Sequence, residues 1–335
     1  MQMTETSPAR KIKGVSYAKY GYMFCIPFMV VWLFFSLYPT IYTAIIGFTD
    51  LKGAATRTYK FLPDLFANYN AILSNATFQK SFVNTLTLWI INFIPQICLA
   101  MLLAYWFTGR RRDIKAAGFF KVMFYMPNII TAASVAILFN TLFGYPFGPI
   151  NDILKSLGLR SESYNFAYSP WASKLIVSFI QFWQWYGYTA IILISGVLGV
   201  NPELFESAEI DGASRGQTFW KITLPSIRTI LVFTLITSLI GGLNMFEVPK
   251  LFNNGGPVNE TSTVSVFIYN QAFSGTYQYN RASAASMIMF IIIAILSSVV
   301  FYLMRDRYES AQKKLARRAA RSGAIAGQAR KGAAT

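Results

Sequence analysis

Acidic residues concentrate in one polar segment, Asn201–Pro225, which lies between two long apolar stretches. The chain contains no histidine, so these carboxylates lack the usual near-neutral proton partner. The apolar stretches contain no cluster of catalytic carboxylates or nucleophiles either. The residue types therefore favour a structural task over catalysis. The carboxylates concerned are Glu203, Glu206, Glu209 and Asp211.

The spacing within this segment predicts two short helices. Asn201 can cap a first helix that starts at Pro202, where a missing N–H costs nothing. Gly212 can take the positive φ that ends this helix. Ser214 can then cap a second helix, which Pro225 follows. The segment is therefore predicted to form a sharp elbow that projects from a membrane.

A second interpretation of the same segment stays open at this point. An amphipathic loop lying in the headgroup layer would also carry mixed polar and apolar residues. The acidic content argues against it, because anionic lipid repels carboxylates.

The composition indicates a membrane protein. Only 13% of the residues are charged, whereas a soluble domain carries about 25%. Six apolar segments reach the length of about 20 residues that a helix needs to cross a bilayer. They are Gly21–Phe48, Phe82–Phe107, Phe119–Phe143, Leu175–Val200, Ser226–Phe246 and Ala282–Met304.

The basic residues predict the orientation. The net charge is +16, and the basic side chains lie between apolar segments and in the tails, which favours anionic lipid over nucleic acid as their partner. Placing both termini on one side puts 21 of the 30 Lys and Arg residues there, and the positive-inside rule makes that side cytoplasmic. The fold class predicted is an all-α membrane protein with six transmembrane helices, both termini cytoplasmic, and a cytoplasmic elbow between spans four and five.

The predicted domain organisation has three parts. A cytoplasmic N-terminal segment (1–20) precedes the transmembrane domain (21–304), which contains the elbow loop (201–225). A basic cytoplasmic tail (305–335) follows.

The chain has no obvious energy source of its own. It contains no Gly-x4-Gly-Lys-Ser/Thr phosphate loop, so it binds no ATP or other cofactor, and any ATP and Mg would be used by separate subunits. Its charges cluster at the span ends, unlike those of ion-coupled carriers. Cys25 and Cys98 lie in apolar runs and are predicted to be small buried side chains, not a metal site. A secondary carrier or channel and a membrane-embedded enzyme are the alternatives.

The elbow segment resembles the EAA signature of ABC-importer permeases. That signature reads Glu-Ala-Ala, three residues, Gly, nine residues, Ile, one residue, Leu-Pro. The matching positions here are Glu206, Ser207, Ala208, Gly212, Ile222, Leu224 and Pro225, with Asp211 and Phe219 also in agreement. Ser207 departs from the usual Ala but is also small.

The resemblance extends over most of the chain. Pro27 and Tyr38-Pro39 are similar to the first span of maltose- and glycerol-phosphate-type permeases, and Asn254–Pro257 resembles their Gly-Gly-Pro loop. Tyr269 and Ala282–Ala285 continue the likeness. The loop at 49–81 is too short for the large insert of the maltose permease, so the chain is more similar to six-span oligosaccharide permeases.

The resemblance implies that the elbow is a lever. In this family it sits in a cleft on a cytoplasmic ATPase and passes the closure of that ATPase to the membrane helices. Phe205, Ala208, Phe219 and Trp220 would supply contact area, and Glu206 would face polar groups. The full set of implied coupling residues is Phe205, Glu206, Ala208, Asp211, Gly212, Phe219, Trp220, Ile222, Leu224 and Pro225.

Two spans offer a solute pathway. Aromatic faces stack on sugar rings, and hydroxyl or amide groups orient them. The candidates are Trp183, Trp185, Tyr186, Tyr188, Ser238, Gly242, Asn244 and Phe246. The alternative is that the Trp and Tyr residues mark membrane interfaces and that the glycines permit helix packing. An oligosaccharide is favoured over glycerol phosphate, which would want a basic partner.

The resemblance also implies partners and a location. They are a second related permease, two ATPase subunits, an external solute-binding protein and membrane lipid, in a bacterial inner membrane. Which sugar is carried, and which of the two permeases contacts it most, stays open.

Overall fold

The computed structural model describes residues 18–53, 56, 58–109, 115–275 and 277–304. This part of the chain folds into helices and connecting loops, with no β-strand in the described ranges. The predicted basic tail and all but the last three residues of the predicted N-terminal segment lie outside the described residues.

The helices are named here in chain order. Their bounds are α1 Ala18–Trp32, α2 Tyr38–Ile46, α3 Ala67–Leu73, α4 Ala76–Phe107, α5 Ala117–Ile129, α6 Ala132–Leu142, α7 Pro149–Ser156, α8 Pro170–Leu198, α9 Pro202–Ile210, α10 Arg215–Thr218, α11 Leu224–Ser226, α12 Arg228–Leu243, α13 Glu247–Asn253, α14 Val264–Phe273 and α15 Tyr279–Met304. Leu33–Leu37 and Phe219–Thr223 are π-helical, and Phe166–Tyr168 is a 3₁₀ turn.

Six membrane crossings are present if each bent helix pair counts as one. Four stretches are long and apolar enough on their own, and they are Lys19–Ile46, Ala76–Phe107, Arg228–Asn253 and Tyr279–Leu303. The two bent pairs are α5 with α6, at 84°, and α8 with α9, at 73°. The all-helical, six-span fold class is therefore confirmed, and the orientation of the termini stays a prediction.

The third span differs from the straight helix that its hydropathy suggests. It breaks between Ile129 and Ala132, where Ile130 is extended (ψ 135°) and the Thr131 side chain accepts a hydrogen bond from the Ser134 amide. The amide side chain of the buried Gln184, in α8, donates to the Ile130 carbonyl (3.2 Å). Non-helical backbone at membrane depth is tolerated where protein groups satisfy it, so the break is stable.

Helix α8 is the centre of the packing. It lies along α4, and the buried Gln96 side chain of α4 donates to the Thr189 hydroxyl of α8 (2.7 Å). On its other side, α8 meets α5 at Gly187, where a Cβ would lie 1.8 Å from the Phe124 carbonyl oxygen. Only glycine permits this approach.

Both π-helical segments end just before a proline. Leu33–Leu37 precedes Tyr38-Pro39, and Phe219–Thr223 precedes Leu224-Pro225. In each, the residue before proline bonds five residues back, Tyr38 to the Leu33 carbonyl and Leu224 to the Phe219 carbonyl. Proline lacks an N–H and clashes with the preceding turn, so the wider turn lets each helix continue through it.

The two cysteines are not buried, so that prediction was wrong. Cys25 and Cys98 are both exposed on the surface of this chain. The outer faces of membrane helices meet lipid or other chains, and hydropathy does not distinguish such faces from a protein core.

A charged clamp ties three segments together near the ends of α4 and α8. Glu260, in the loop after α13, accepts from Lys80 of α4 (2.7 Å) and from Lys174 of α8 (2.6 Å). Asn84 of α4 also donates to the Asn259 carbonyl (2.7 Å) of the same loop. The hydrogen bonds from Lys174 and Lys80 hold the pKa of Glu260 below its ordinary value.

Replacement of the clamp carboxylate should lower the stability of the protein at neutral pH but not in acid. A depressed pKa stabilises the fold above the unfolded value, near 4.5, and the contribution disappears as the pH falls through the folded pKa. Because Lys80 is partly exposed, we expect Glu260→Gln to lower the melting temperature at pH 7 by only about 2–4 °C. This difference should shrink as the pH falls below 4.5.

The measurement is the melting temperature of detergent-solubilised protein against pH. Glu162→Gln, at an exposed position in the loop between α7 and α8, is the matched control and should follow the wild type. An equal deficit for Glu260→Gln at every pH would contradict this interpretation.

Candidate functional site

The first helix of the elbow starts as the sequence predicted. Asn201 caps α9 by accepting a hydrogen bond from the Glu203 amide (3.1 Å), and Pro202 occupies the first helical position. The side chain of Asn201 also donates to the Glu203 carboxylate (3.1 Å). The start of α9 is therefore fixed immediately after α8 ends.

The bend itself is a Schellman motif. Gly212 has φ +72°, its amide donates to the Glu209 carbonyl (3.1 Å), and the Ala213 amide donates to the Ala208 carbonyl (2.9 Å). These are the paired bonds that close a helix on a left-handed glycine.

The second helix of the elbow begins with a capping box. The Ser214 hydroxyl accepts from the Gln217 amide (3.3 Å), and the Gln217 side chain accepts from the Ser214 amide (2.8 Å). With the Schellman motif beside it, the elbow has bonded backbone on both sides of its bend. Its angle is therefore set by local structure.

The elbow is anchored to the membrane helices by three of the predicted coupling residues. Ala208 and Phe219 are buried, and Phe219 packs edge-on against Tyr105 of α4 with ring centroids 5.2 Å apart. Phe205 packs against the buried cluster that contains Val197 and Ile227. Ala208 and Phe219 bury their area within this chain and do not offer it to a partner, whereas Phe205 is half-buried and stays partly accessible.

Other residues form the outer surface of the elbow. Trp220 is 61% exposed, as a partner contact requires, and Glu206, Asp211, Gly212 and Pro225 are also exposed. Ile222 and Leu224 are half-buried. Two exposed apolar side chains of α9, Leu204 (48%) and Ile210 (86%), were not predicted from the sequence. Ile210 is the last residue before the predicted helix stop at Asp211-Gly212. Its position at the bend is a signal that could have predicted its exposure.

A cavity of about 530 Å³ lies among α4, α6, α8, α12 and α13, and is called the membrane cavity here. Six of the eight predicted pathway residues line it. They are Trp185, Tyr188, Ser238, Gly242, Asn244 and Phe246.

The other two predicted pathway residues lie outside the membrane cavity. Trp183 packs on Phe139, with ring centroids 6.2 Å apart, within a buried cluster. Tyr186 stacks on Phe182 (5.7 Å) and belongs to the packing against α5. Adjacent aromatic residues on one helix face different directions, so a run of them cannot all reach one cavity.

Several polar residues of the cavity wall were not predicted from the sequence. They are Asn92, Gln96, Gln181, Thr189, Thr234, Thr237 and Glu247, and Gly241 also lines the wall. Their spacing was a usable signal, since Asn92 and Gln96 are four apart. Thr234, Thr237 and Gly241 likewise recur at helical spacing.

The two adjacent glycines of α12 have different tasks. A Cβ at Gly242 would lie 2.1 Å from the indole ring of Trp89, whose N–H donates to the Ser238 hydroxyl (3.2 Å). A Cβ at Gly241 would meet nothing within 4 Å. Gly242 therefore admits a neighbouring helix, and Gly241 faces open space.

Residues 71–314 match the family described as the binding-protein-dependent transport system inner membrane component. Among curated relatives, the lactose transport system permease protein of Rhizobium radiobacter is 26% identical, over 86% of this chain and 94% of its own length. The multiple sugar-binding transport system permease protein of Streptococcus mutans is 28% identical, over 85% and 95%. The diacetylchitobiose uptake system permease protein of Streptomyces coelicolor is 28% identical, over 89% and 87%.

The fold is also that of a chain in solved structures. A chain of a bacterial ABC transporter for import of the acidic polysaccharide alginate matches with a TM-score of 0.71 and 23% identity, over 86% of this chain and 95% of that one. A second structure holds that transporter with a periplasmic protein bound to an alginate pentasaccharide, and it matches at 0.70. At this identity the likeness establishes the fold alone.

The two glycines should respond differently to the same substitution. We expect Gly242→Ala to destabilise the protein by about 1–3 kcal/mol relative to Gly241→Ala, because only the former forces Trp89 to move. Both changes gain the same helix propensity, which the comparison cancels. Thermal unfolding of the two purified variants measures the difference. Equal stability would show that Trp89 is not held against Gly242.

Proposed function

The chain belongs to the family of binding-protein-dependent transport system inner membrane components, and from this premise we propose that it forms half of the pathway by which an ATP-driven importer moves a sugar or an oligosaccharide. As a member of the family it is a multi-pass inner membrane transport component, not an enzyme. The proposal concerns its solute, its partners and the residues that serve them.

The observation that supports the proposal most directly is the lining of the membrane cavity. Trp185 and Tyr188 offer aromatic faces, and the more accessible Gln181, Thr237 and Asn244 offer amide and hydroxyl groups. This combination recognises the apolar faces and hydroxyl edges of sugar rings. Three relatives are named for lactose, multiple sugars and diacetylchitobiose, which agrees with such a solute.

The elbow is proposed to couple the membrane cavity to separate ATPase subunits. Its exposed apolar side chains, Leu204, Ile210 and Trp220, would lie in the ATPase cleft. Glu206 would face polar groups beside them. Ala208 and Phe219 would instead hold the elbow against this chain, so that a push on the elbow moves the helices.

Helix α8 provides a direct mechanical route for that push. It carries Trp185, Tyr188 and Thr189 in the cavity wall, and it is followed by α9 after three residues. A rotation of the elbow therefore moves the end of the helix that lines the cavity. Where packed helices have two alternative arrangements, a small displacement of this kind is converted into a change between discrete states.

The proposed complex contains a second related permease, two ATPase subunits and an external solute-binding protein. The ATPase subunits would consume ATP and Mg, and this chain would bind neither. The elbow and both termini would lie in the cytoplasm, in agreement with the basic residues around them. The Glu260 clamp lies at the ends of α4 and α8 that are far from the elbow. It would therefore face the binding protein.

A pair of glycine substitutions in the elbow tests the coupling. We expect Gly212→Val to abolish ATP-driven uptake while membrane insertion stays intact. A β-branched residue at φ +72° is strained, at a cost of about 1–2 kcal/mol or more, and the bend must change. Gly216→Val is the matched control, because Gly216 is equally open but lies in ordinary helix.

The measurement is uptake by the reconstituted complex, using the radiolabelled glycan that the cognate binding protein carries. Gly216→Val should keep most of the uptake. Full uptake by Gly212→Val would mean that the bend is unimportant for coupling.

A further inference from the structure

The membrane cavity has a single charged group among the described residues that line it. That group is the carboxylate of Glu247, and every other lining side chain is neutral at pH 7. A lone charge in a cavity that protein partly encloses acts over several ångströms, because the surrounding protein screens it less than water does.

Glu247 is held in place through its backbone. It is the first residue of α13, directly after the helix break at Asn244–Phe246. The Thr263 hydroxyl donates to the Met245 carbonyl (2.7 Å), and the next residue, Val248, is fully buried. The side chain of Glu247 itself is exposed to the cavity.

Three described basic side chains close to this region have other partners, one in α13 and two that bind the loop after it. Lys250, one turn further along α13, donates to Asn270 (2.8 Å) and lies 4.7 Å from the centre of the Tyr269 ring. Lys80 and Lys174 hold Glu260. The carboxylate of Glu247 has no ion pair or hydrogen bond with another described residue.

We propose that Glu247 sets the charge class of the solute, so that the membrane cavity accepts neutral or amino-bearing glycans and excludes anionic ones. This inference rests on the proposed function. A carboxylate accepts hydrogen bonds from sugar hydroxyls, and it makes stronger ones with an ammonium group. It repels a uronate carboxylate or a phosphate that enters the same space.

The inference separates this chain from the transporter whose fold it shares. That transporter imports alginate, an acidic polysaccharide. A shared fold does not fix the charge of the solute, which depends on side chains in the cavity. The described cavity wall of this chain offers an anion no basic partner.

The charge of the cavity can be measured without knowing the solute. A cysteine at Gly241, where a Cβ meets nothing within 4 Å, provides a reporter in the cavity wall. Cys25→Ser and Cys98→Ser remove the native thiols. The rates of reaction with a cationic and an anionic methanethiosulfonate reagent are then compared in the assembled transporter, with Glu247 and with Glu247→Gln.

We expect the ratio of cationic to anionic rates to fall by about 5–10-fold in Glu247→Gln, since loss of one nearby charge changes the energy of each reagent in opposite directions. Glu162→Gln, at an exposed position in the loop between α7 and α8, should leave the ratio unchanged. Gel filtration confirms that each variant is folded. An unchanged ratio in Glu247→Gln would overturn the inference.

The solute class is tested by identifying the glycan that elutes from the denatured cognate binding protein. A neutral or amino-bearing glycan supports the inference. An anionic glycan would overturn it while leaving the sugar-import function intact. A solute that is not a glycan would instead overturn the proposed function, and the thiol measurement would still report the charge of the cavity.

Discussion

The close packing of α8 against α4 and α5 is the constraint on which the rest of the structure depends. The Gln96–Thr189 hydrogen bond (2.7 Å) fixes α8 to α4, and Gly187 brings it against the backbone of α5. One end of this helix continues into the elbow, and its middle forms a wall of the membrane cavity. A displacement at the elbow would therefore reach the cavity wall through α8, which is the coupling route proposed here.

The bilayer adds a second constraint, because it leaves no water to satisfy backbone groups. The chain breaks its spanning helices at two places beside the cavity, before Ala132 and at Asn244–Phe246. In each, a side chain from another segment bonds a freed carbonyl, Gln184 to Ile130 and Thr263 to Met245. The breaks thus bring polar groups and helix ends to the cavity wall while these two carbonyls keep hydrogen-bond partners.

Local signals in the sequence predicted the elbow well, because caps and turns depend on neighbouring residues. Asn201, Gly212 and Ser214 each take the expected role. Hydropathy likewise predicted the spans but not the 84° break, which depends on Gln184 from another helix. Burial depends on long-range packing, so the direction of Trp183 could not be predicted from composition.

Transport by this chain is expected to depend on an ATPase that the chain itself does not contain. The most direct measurement is accumulation of the labelled glycan inside proteoliposomes that carry this chain, its partner permease and the solute-binding protein. Accumulation above the external concentration should occur only when ATPase subunits and ATP are added. Uphill accumulation without them, driven by an ion gradient, would contradict the role assigned to the elbow.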